Sequence, residues 1–366
     1  MSARIAIAGG GTGGHVTPAL ALGEALRERG AELVFIGAER GIEKKLVPDA
    51  GFELVLLDAR PLIGRGIGER FGALFALVRA TLAARRLLRE RRVQLVVSVG
   101  GYASAPAAFA AAVSRIPLAL VNTDAVPGAA NRAMARFARR IFAGFAGTKD
   151  ALGALGARTV VTGVPLRRAL REKFADAAGA AHADASRPAH LFVFGGSLGA
   201  RQINELMIAL AEPLAEARVE IFHQTGEADR ERVAAAYQEA GARAEVVAFE
   251  REMPRRYAWA DLVVCRAGAI SVAELALAGR AALLVPLGHV GSGEQFANAR
   301  ELERVGAARV LNSRDLSAAD FSAALFELLG DRARLAEMGA KAAGSAKPNA
   351  TSEIAEACLT LAGGPR

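Results

Sequence analysis

Short apolar runs separated by longer stretches of helical spacing set the rhythm of this chain. IAIA at Ile5 to Ala8, ELVFIG from Glu32, ELVLL from Glu53, LVVSVG from Leu95 and LALVN from Leu118 read as strands. Strands alternating with helices predict βαβ units and a parallel sheet. The pattern pauses at GVPLRR, Gly163 to Arg168, and at an Ala-rich low-complexity stretch from Asp176 to Pro188, which reads as a connection between domains. A second series then follows: HLFVFGG from His190, VEIFH from Val219, EVVAF from Glu245, DLVVC from Asp261 and AALLVP from Ala281. Its 366 residues exceed one compact core, so the expected fold is α/β with two doubly wound, Rossmann-like halves. A last helical stretch, Thr351 to Leu361, spaces Ile354, Ala357, Cys358 and Leu361 for docking on another surface.

Each half begins with a glycine-rich turn. The first strand runs into Gly9, Gly10, Gly11, Thr12, Gly13, Gly14 and His15, and Thr17 with Pro18 gives a helix-start signal, Thr as N-cap and Pro at the first helical position. Glycines let backbone approach a ligand closely, and a helix N-terminus offers unpaired N–H groups to negative charge. The segment also satisfies G-x-G-x-x-G, with Glu39 after the second strand, so a dinucleotide site competes. The second half repeats the device at Gly195, Gly196, Ser197, Leu198, Gly199 and Ala200. Two such turns predict a deep cleft lined from both halves, which a dehydrogenase with one nucleotide site does not need.

A third element, CRAGAISVAE from Cys265 to Glu274, leaves a strand and enters a helix. Ser271 and Glu274 have the spacing of a capping box; alternatively, N–H groups at Ala269, Ile270 and Ser271 meet a diphosphate while Glu274 accepts ribose hydroxyls. Gln295 and Asn298 share a helix face and read either as surface amides or as sugar readers.

Composition narrows the partners. A formal charge of +8 favours an anionic ligand or surface, while aromatics at 5% without basic interleaving argue against nucleic acid. Cys265 and Cys358 are far apart and outside any metal-ligand spacing, so no metal site and no cofactor is expected. No D-x-D sequence occurs. The N-terminal run reads as a buried strand instead of a signal peptide, and no apolar run approaches the roughly 20 residues that cross a bilayer, so a reducing cytoplasm is the expected compartment.

Taken in order, GGGTGGH, GGYASAP, GVPLR, GGSLGARQIN, CRAGAISVAE and GEQFANA resemble the MurG family of bacterial N-acetylglucosaminyltransferases, in glycosyltransferase family 28. The resemblance implies a GT-B fold, UDP-N-acetylglucosamine as donor, lipid I (undecaprenyl-pyrophosphoryl-MurNAc-pentapeptide) as acceptor, and inversion at the anomeric carbon. It also implies an acceptor domain of residues 1–164 joined by the C-terminal helix 345–366, and a donor domain of residues 165–344. By position, Thr12, Gly13 and Gly14 would line the acceptor side, and Arg167 and Ser197 would face the diphosphate. Ala269, Ile270, Ser271, Val272, Ala273 and Glu274 would hold phosphate and ribose, and Gln295 the sugar. Phe249, Glu250 and Met253 fall on the uracil-binding segment. Where the family has His-Glu-Gln-Asn this chain has Val121, Asn122, Thr123 and Asp124, and the glutamine of GGSQGA is Leu198.

His15 is the base candidate, since imidazole titrates near neutral pH, with a backbone-bonding histidine as the plain alternative. Asp124 could orient or replace it. Arg167 could neutralise the departing diphosphate or be a solvated hinge residue. From Arg60 to Arg92, apolar residues interleave with Arg65, Arg70, Arg79, Arg85 and Arg86, which suits either an anionic membrane surface at the cytoplasmic face of the inner membrane or a core helix with solvated arginines. A UDP-N-acetylglucosamine 2-epimerase and a non-catalytic UDP-sugar-binding paralogue are the rival functions.

Overall fold

A computed structural model describes residues 2–39, 41–59, 67–177, 187–288 and 293–363 of the chain. It divides into two compact units, Met1–Arg168 with Pro348–Arg366, and Ala169–Lys347.

Among the described residues, the first unit holds seven strands: β1 (Arg4–Gly9), β2 (Glu32–Ala38), β3 (Leu54–Leu57), β4 (Leu95–Gly100), β5 (Leu118–Asn122), β6 (Arg140–Ala143) and β7 (Thr159–Val161). All pair in parallel, in the order β3-β2-β1-β4-β5-β6-β7. The second unit holds β8 (His190–Phe194), β9 (Glu220–Gln224), β10 (Arg243–Val247), β11 (Leu262–Cys265), β12 (Ala281–Leu284) and β13 (Ala308–Val310), parallel in the order β10-β9-β8-β11-β12-β13. Both sheets reverse their winding at one strand pair, β1/β4 and β8/β11, and that pair opens a crevice at its carboxyl end. Both glycine-rich turns leave a strand of such a pair.

Strands buried on both faces explain the near-continuous apolar runs. β4 and β5 are buried at every position. β6, β7 and β13 are additions to the sequence pattern. They are three or four residues long, and β7, at the sheet edge, leaves Val160 exposed, so they carry too little apolar signal to be read. β10 begins two residues before Glu245.

The helix Ala350–Gly363 buries Ile354, Ala355, Cys358 and Ala362 in the same core as Val16, Leu20 and Leu22 of the helix Gly13–Glu28. Ala357 and Leu361 are partly buried at its margin. The Thr351 hydroxyl accepts the Leu166 N–H at 3.1 Å and donates to the Leu166 carbonyl at 2.8 Å, tying this helix to the GVPLR segment. Ile354→Ala is expected to destabilise the first unit by about 2–5 kcal/mol, as deletion of a buried aliphatic side chain does. Urea unfolding reads this directly, and Glu353→Ala on the exposed side of the helix should move the midpoint far less.

Candidate functional site

At the crevice of the first unit, β1 ends at Gly9 opposite Gly100 of β4, after a register shift between Ala8 and Gly9. The helix begins at Gly13 with Thr12 as N-cap, five residues before the expected cap Thr17, and Pro18 lies inside it. Lacking an N–H, Pro18 simply leaves the Gly14 carbonyl without its helical donor. The Thr12 carbonyl already accepts Val16 N–H at 3.1 Å, so helical bonding starts before the proline.

His15 is therefore in the first helical turn, half-buried, with its Nδ1 3.1 Å from Thr12 Oγ1. Its ring packs on Gly100 and Gly101, both at positive φ; a Cβ on Gly100 would come within 2.8 Å of the imidazole. Burial lowers the proton affinity of His15, while the carboxylates of Asp124 and Glu43 act through space to raise it. The structure thus brings Asp124 into the field of His15. Asn122, by contrast, is buried: its amide donates to the Asp124 carbonyl at 2.6 Å and Thr148 Oγ1 at 3.2 Å, and its oxygen accepts from Asn131 at 3.0 Å. Thr12 and Gly14 are exposed and Gly13 half-exposed on the loop surface. Arg167 donates to Glu24 Oε1 at 2.5 and 3.0 Å, eleven residues into the helix, roughly 16 Å along its axis from the N-terminus. Its charge is committed there.

In the second unit, Gly195 to Ala200 form a tight turn after β8. A Cβ on Gly199 would fall 1.8 Å from the Thr225 carbonyl oxygen, and one on Gly226 2.3 Å from that of Leu198, so two backbones touch where only glycine fits. Ser197 and Leu198 are exposed at the tip. Gln224, buried at the end of β9, donates to the Gly196 carbonyl at 2.8 Å and accepts Glu250 N–H at 3.0 Å, joining the turn to the Phe249–Glu250 segment. The Glu250 carboxylate turns back on Arg256 Nε at 2.7 Å and Glu252 N–H at 2.7 Å; burial opposes its ionisation, and these bonds more than compensate, holding its pKa below the ordinary value. Phe249 is exposed, and Met253 opens the next helix.

Beside that turn, β11 leads into the helix Ala269–Ala278, capped by Gly268 in extended backbone. The Val272 N–H is the first to bond within the helix, to the Gly268 carbonyl at 3.0 Å. The N–H groups of Ala269, Ile270 and Ser271 precede that ladder, as the first turn of any helix leaves them. The capping-box reading of Ser271 and Glu274 fails: the cap is Gly268, and Glu274 lies a full turn inside, where it accepts the Tyr257 hydroxyl at 3.1 Å. Val272 is buried and Ala273 half-buried on this turn. Burial pushes the Glu274 carboxyl up to about 7, and the Tyr257 bond offsets only part of this. Arg266, which sequence reasoning passed over, bonds to the Gln202 Oε1 at 3.2 Å and the Val285 carbonyl at 2.9 Å, both neutral acceptors. Gln295 accepts Leu287 N–H at 2.9 Å, while Asn298 is fully buried and donates to the Ala267 carbonyl at 3.2 Å. Asn298 is thus neither a surface amide nor a sugar reader but a brace beneath the 267–271 turn. Residues 289–292 of the preceding loop lie outside the described residues.

Residues 5–143 match the glycosyltransferase family 28 N-terminal domain and residues 190–354 the family 28 C-terminal domain. The chain is 42% identical over 365 residues, the full length of both chains, to a UDP-N-acetylglucosamine--N-acetylmuramyl-(pentapeptide) pyrophosphoryl-undecaprenol N-acetylglucosamine transferase of Pseudomonas fluorescens. The chain belongs to the MurG group of glycosyltransferase family 28. A relative of the same name in Acidithiobacillus ferrooxidans is 41% identical over 374 residues, covering 100% of this chain and 99% of its own. The crystal structure of Acinetobacter baumannii MurG superposes with a TM-score of 0.83 at 32% identity, over 98% of this chain and 99% of that one. A UDP-GlcNAc 2-epimerase of Neisseria meningitidis superposes at 0.66 with 12% identity, over 98% and 100%, and shares the fold alone. The chain is a glycosyltransferase of GT-B architecture, and the epimerase and non-catalytic alternatives find no support in these relatives.

Glu274 generates a pH prediction. A carboxyl whose folded pKa is about 7 against 4.5 costs nothing below pH 4.5 and its full penalty above 7, so stability is lost as pH rises through that window. Over the whole window the loss is about 3 kcal/mol. Glu274→Gln should leave ligand-free stability near that of the parent at pH 4.5 and exceed it at pH 8, measured as urea midpoints.

Proposed function

We propose that this chain transfers N-acetylglucosamine from UDP-N-acetylglucosamine to lipid I, the undecaprenyl-pyrophosphoryl-MurNAc-pentapeptide, with inversion at the anomeric carbon. One observation carries the reading: the two crevices are built for different tasks. The first unit presents an imidazole on its glycine loop; the second presents a cluster of first-turn N–H groups beside a buried carboxyl. The printed names of full-length relatives supply the substrates that suit this division.

In the second unit, the N–H groups of Ala269, Ile270 and Ser271, the Ser197 hydroxyl and the Arg266 guanidinium would receive the diphosphate, whose charge rises as the sugar departs. Glu274 would accept the ribose hydroxyls, Gln295 would meet the sugar, and the backbone at Phe249 to Met253 the uracil. Val272 and Ala273 complete the turn. Arg167 would reach a diphosphate only by giving up Glu24. In the first unit, Thr12, Gly13 and Gly14 would line the acceptor, and His15 would take the proton of its attacking hydroxyl as the bond to C1 forms and the bond from C1 to the phosphate oxygen breaks. Burial keeps His15 in the neutral, proton-accepting form at neutral pH, with Asp124 stabilising the imidazolium that results.

A polyprenyl-linked acceptor requires docking at a membrane surface, here assigned to the cytoplasmic face of the inner membrane. No helix among the described residues is long and apolar enough to cross one. The helix Ile67–Glu90 turns Ala76, Ala80, Ala84 and Leu88 into the core and leaves Phe75, Val78 and Leu82 exposed at helical spacing, with Arg79, Arg85 and Arg86 beside them. This stripe is not core, which favours the surface reading. Arg60, Leu62, Ile63 and Arg65 lie outside the described residues, as do the side chains of Arg70, Phe71 and Leu74.

Purified protein incubated with UDP-N-acetylglucosamine and a lipid I analogue should release UDP only when the analogue is present and yield the β-linked disaccharide; release without it would reject the transferase reading. His15→Ala should lower kcat by about 10²- to 10⁴-fold with donor affinity little changed. Arg85→Ala with Arg86→Ala should weaken binding to anionic vesicles about ten- to thirtyfold, at roughly 1 kcal/mol per charge. Binding indifferent to anionic lipid would remove the docking surface.

A further inference from the structure

Glu43 is fully buried at the start of the short helix Glu43–Asp49, and no motif singles it out. Its Oε2 accepts the Gly11 N–H at 2.9 Å and its Oε1 the Ala38 N–H at 2.9 Å. Backbone is cleared around it. A Cβ added to Gly10, Gly37 or Gly41 would fall 2.1, 2.6 or 1.9 Å from the nearest Glu43 side-chain atom. Gly10 after β1, Gly37 within β2 and Gly41 after β2 thus leave the space this carboxylate fills. Gly11, at φ +91, is held from its other side by the Tyr102 ring, which a Cβ there would approach at 3.0 Å. The next residue, Thr12, is the N-cap whose hydroxyl meets His15.

We propose that Glu43 is a positioning residue of the transfer reaction, clamping the Gly9–Gly14 loop to the end of β2 so that Thr12 and His15 are held at the crevice. This rests on the reading of His15 as the base. The clamp is specific in its chemistry. Two N–H groups converge on one side chain, and only a carboxylate accepts both; an amide would turn its NH2 toward one of them. Glu43 also acts on the base through space. The groups that act on the His15 ring are the Thr12 hydroxyl at the cap of its helix and, through space, the carboxylates of Asp124 from the loop after β5 and of Glu43, while Asn131 and Tyr102 line the neighbouring Gly100 and Gly11. Asp124 and Glu43 both favour the imidazolium that forms as the acceptor hydroxyl gives up its proton. Glu43 therefore serves the base twice, by placing its loop and by stabilising its charge.

The test uses the full chain with Glu43→Gln and Glu43→Asp. Glu43→Gln should keep UDP affinity within about twofold while kcat for the lipid I analogue falls about 10- to 100-fold, the scale of a catalytic group displaced by an ångström or less. Ring-proton NMR, with the His15 signal assigned by its loss in His15→Gln, should show the His15 titration midpoint moving down in Glu43→Gln. In Glu43→Asp it should stay nearer the parent value, because the charge remains. The shorter side chain should still lower kcat, since it does not span both N–H groups. A folded Glu43→Gln protein with parental kcat and an unmoved His15 titration overturns the proposal. If Glu43→Gln does not fold, a folded Glu43→Asp protein with parental kcat overturns it equally. Absence of turnover in the parent would refute the transferase reading, and the NMR titration would still decide whether Glu43 acts on His15.

Discussion

A parallel strand pair whose neighbours wind away in opposite directions leaves a gap at its carboxyl end, and the chemistry of this protein depends on what backbone is put there. Both sheets have such a pair, β1/β4 and β8/β11. Side chains beyond hydrogen would close the gap, so the turns are glycine-rich where contact is closest: at Gly100 against His15, and at Gly199 against Thr225. The sheets supply rigidity through strands buried on both faces. The turns supply exposed backbone whose position is set by neighbours instead of by their own side chains.

The same device carries opposite electrostatics in the two units. In the first, the Gly11 N–H is already taken by the carboxylate of Glu43, and the neighbouring group of interest is an imidazole in the field of two acids. In the second, N–H groups at the start of the Ala269 helix lie near an arginine held by neutral acceptors. A field built from Glu43 and Asp124 suits a group that becomes positive; a helix N-terminus with Arg266 suits one that becomes negative. Displacement of a phosphate by a hydroxyl needs both, because the attacking oxygen loses a proton while the leaving oxygen gains charge.

The fold was legible because the strands of a parallel sheet, most of them buried on both faces, write themselves as apolar runs, and ten strands stand in the sequence that way. β6, β7 and β13 do not, being short and near the sheet edges. The candidate site was legible where its geometry is made by backbone, since glycine marks such places. It was illegible where one buried polar side chain braces another loop. Gln224 reads only as a polar end to the strand EIFHQ, yet it joins Gly196 to Glu250. Glu43 sits two residues from Gly41 and six from Gly37, and only the folded chain shows that these glycines make room for its carboxylate. Arg266 and Asn298 lay within or beside quoted motifs, but their partners, the Val285 and Ala267 carbonyls, are distant or unmarked in sequence. Pro18 misled because proline at a helix start is common, while Thr12, an equally good cap residue, stands among glycines that read as loop.

The 121–124 segment shows how a departure from family pattern can be absorbed. The pattern has an acid at 122 and an amide at 124; this chain has Asn122 and Asp124. The side chain at 122 is buried, and its amide nitrogen donates to the Asp124 carbonyl while its oxygen accepts from Asn131. An ionised glutamate there would set an acceptor against the carbonyl of residue 124, which costs free energy away from water. Asparagine satisfies both neighbours and carries no charge. The negative charge stands instead at Asp124, half-exposed and close enough to raise the proton affinity of His15. Moving the acid two residues along thus removes a charge from the buried network and keeps one beside the imidazole, where the base role proposed for His15 calls for it.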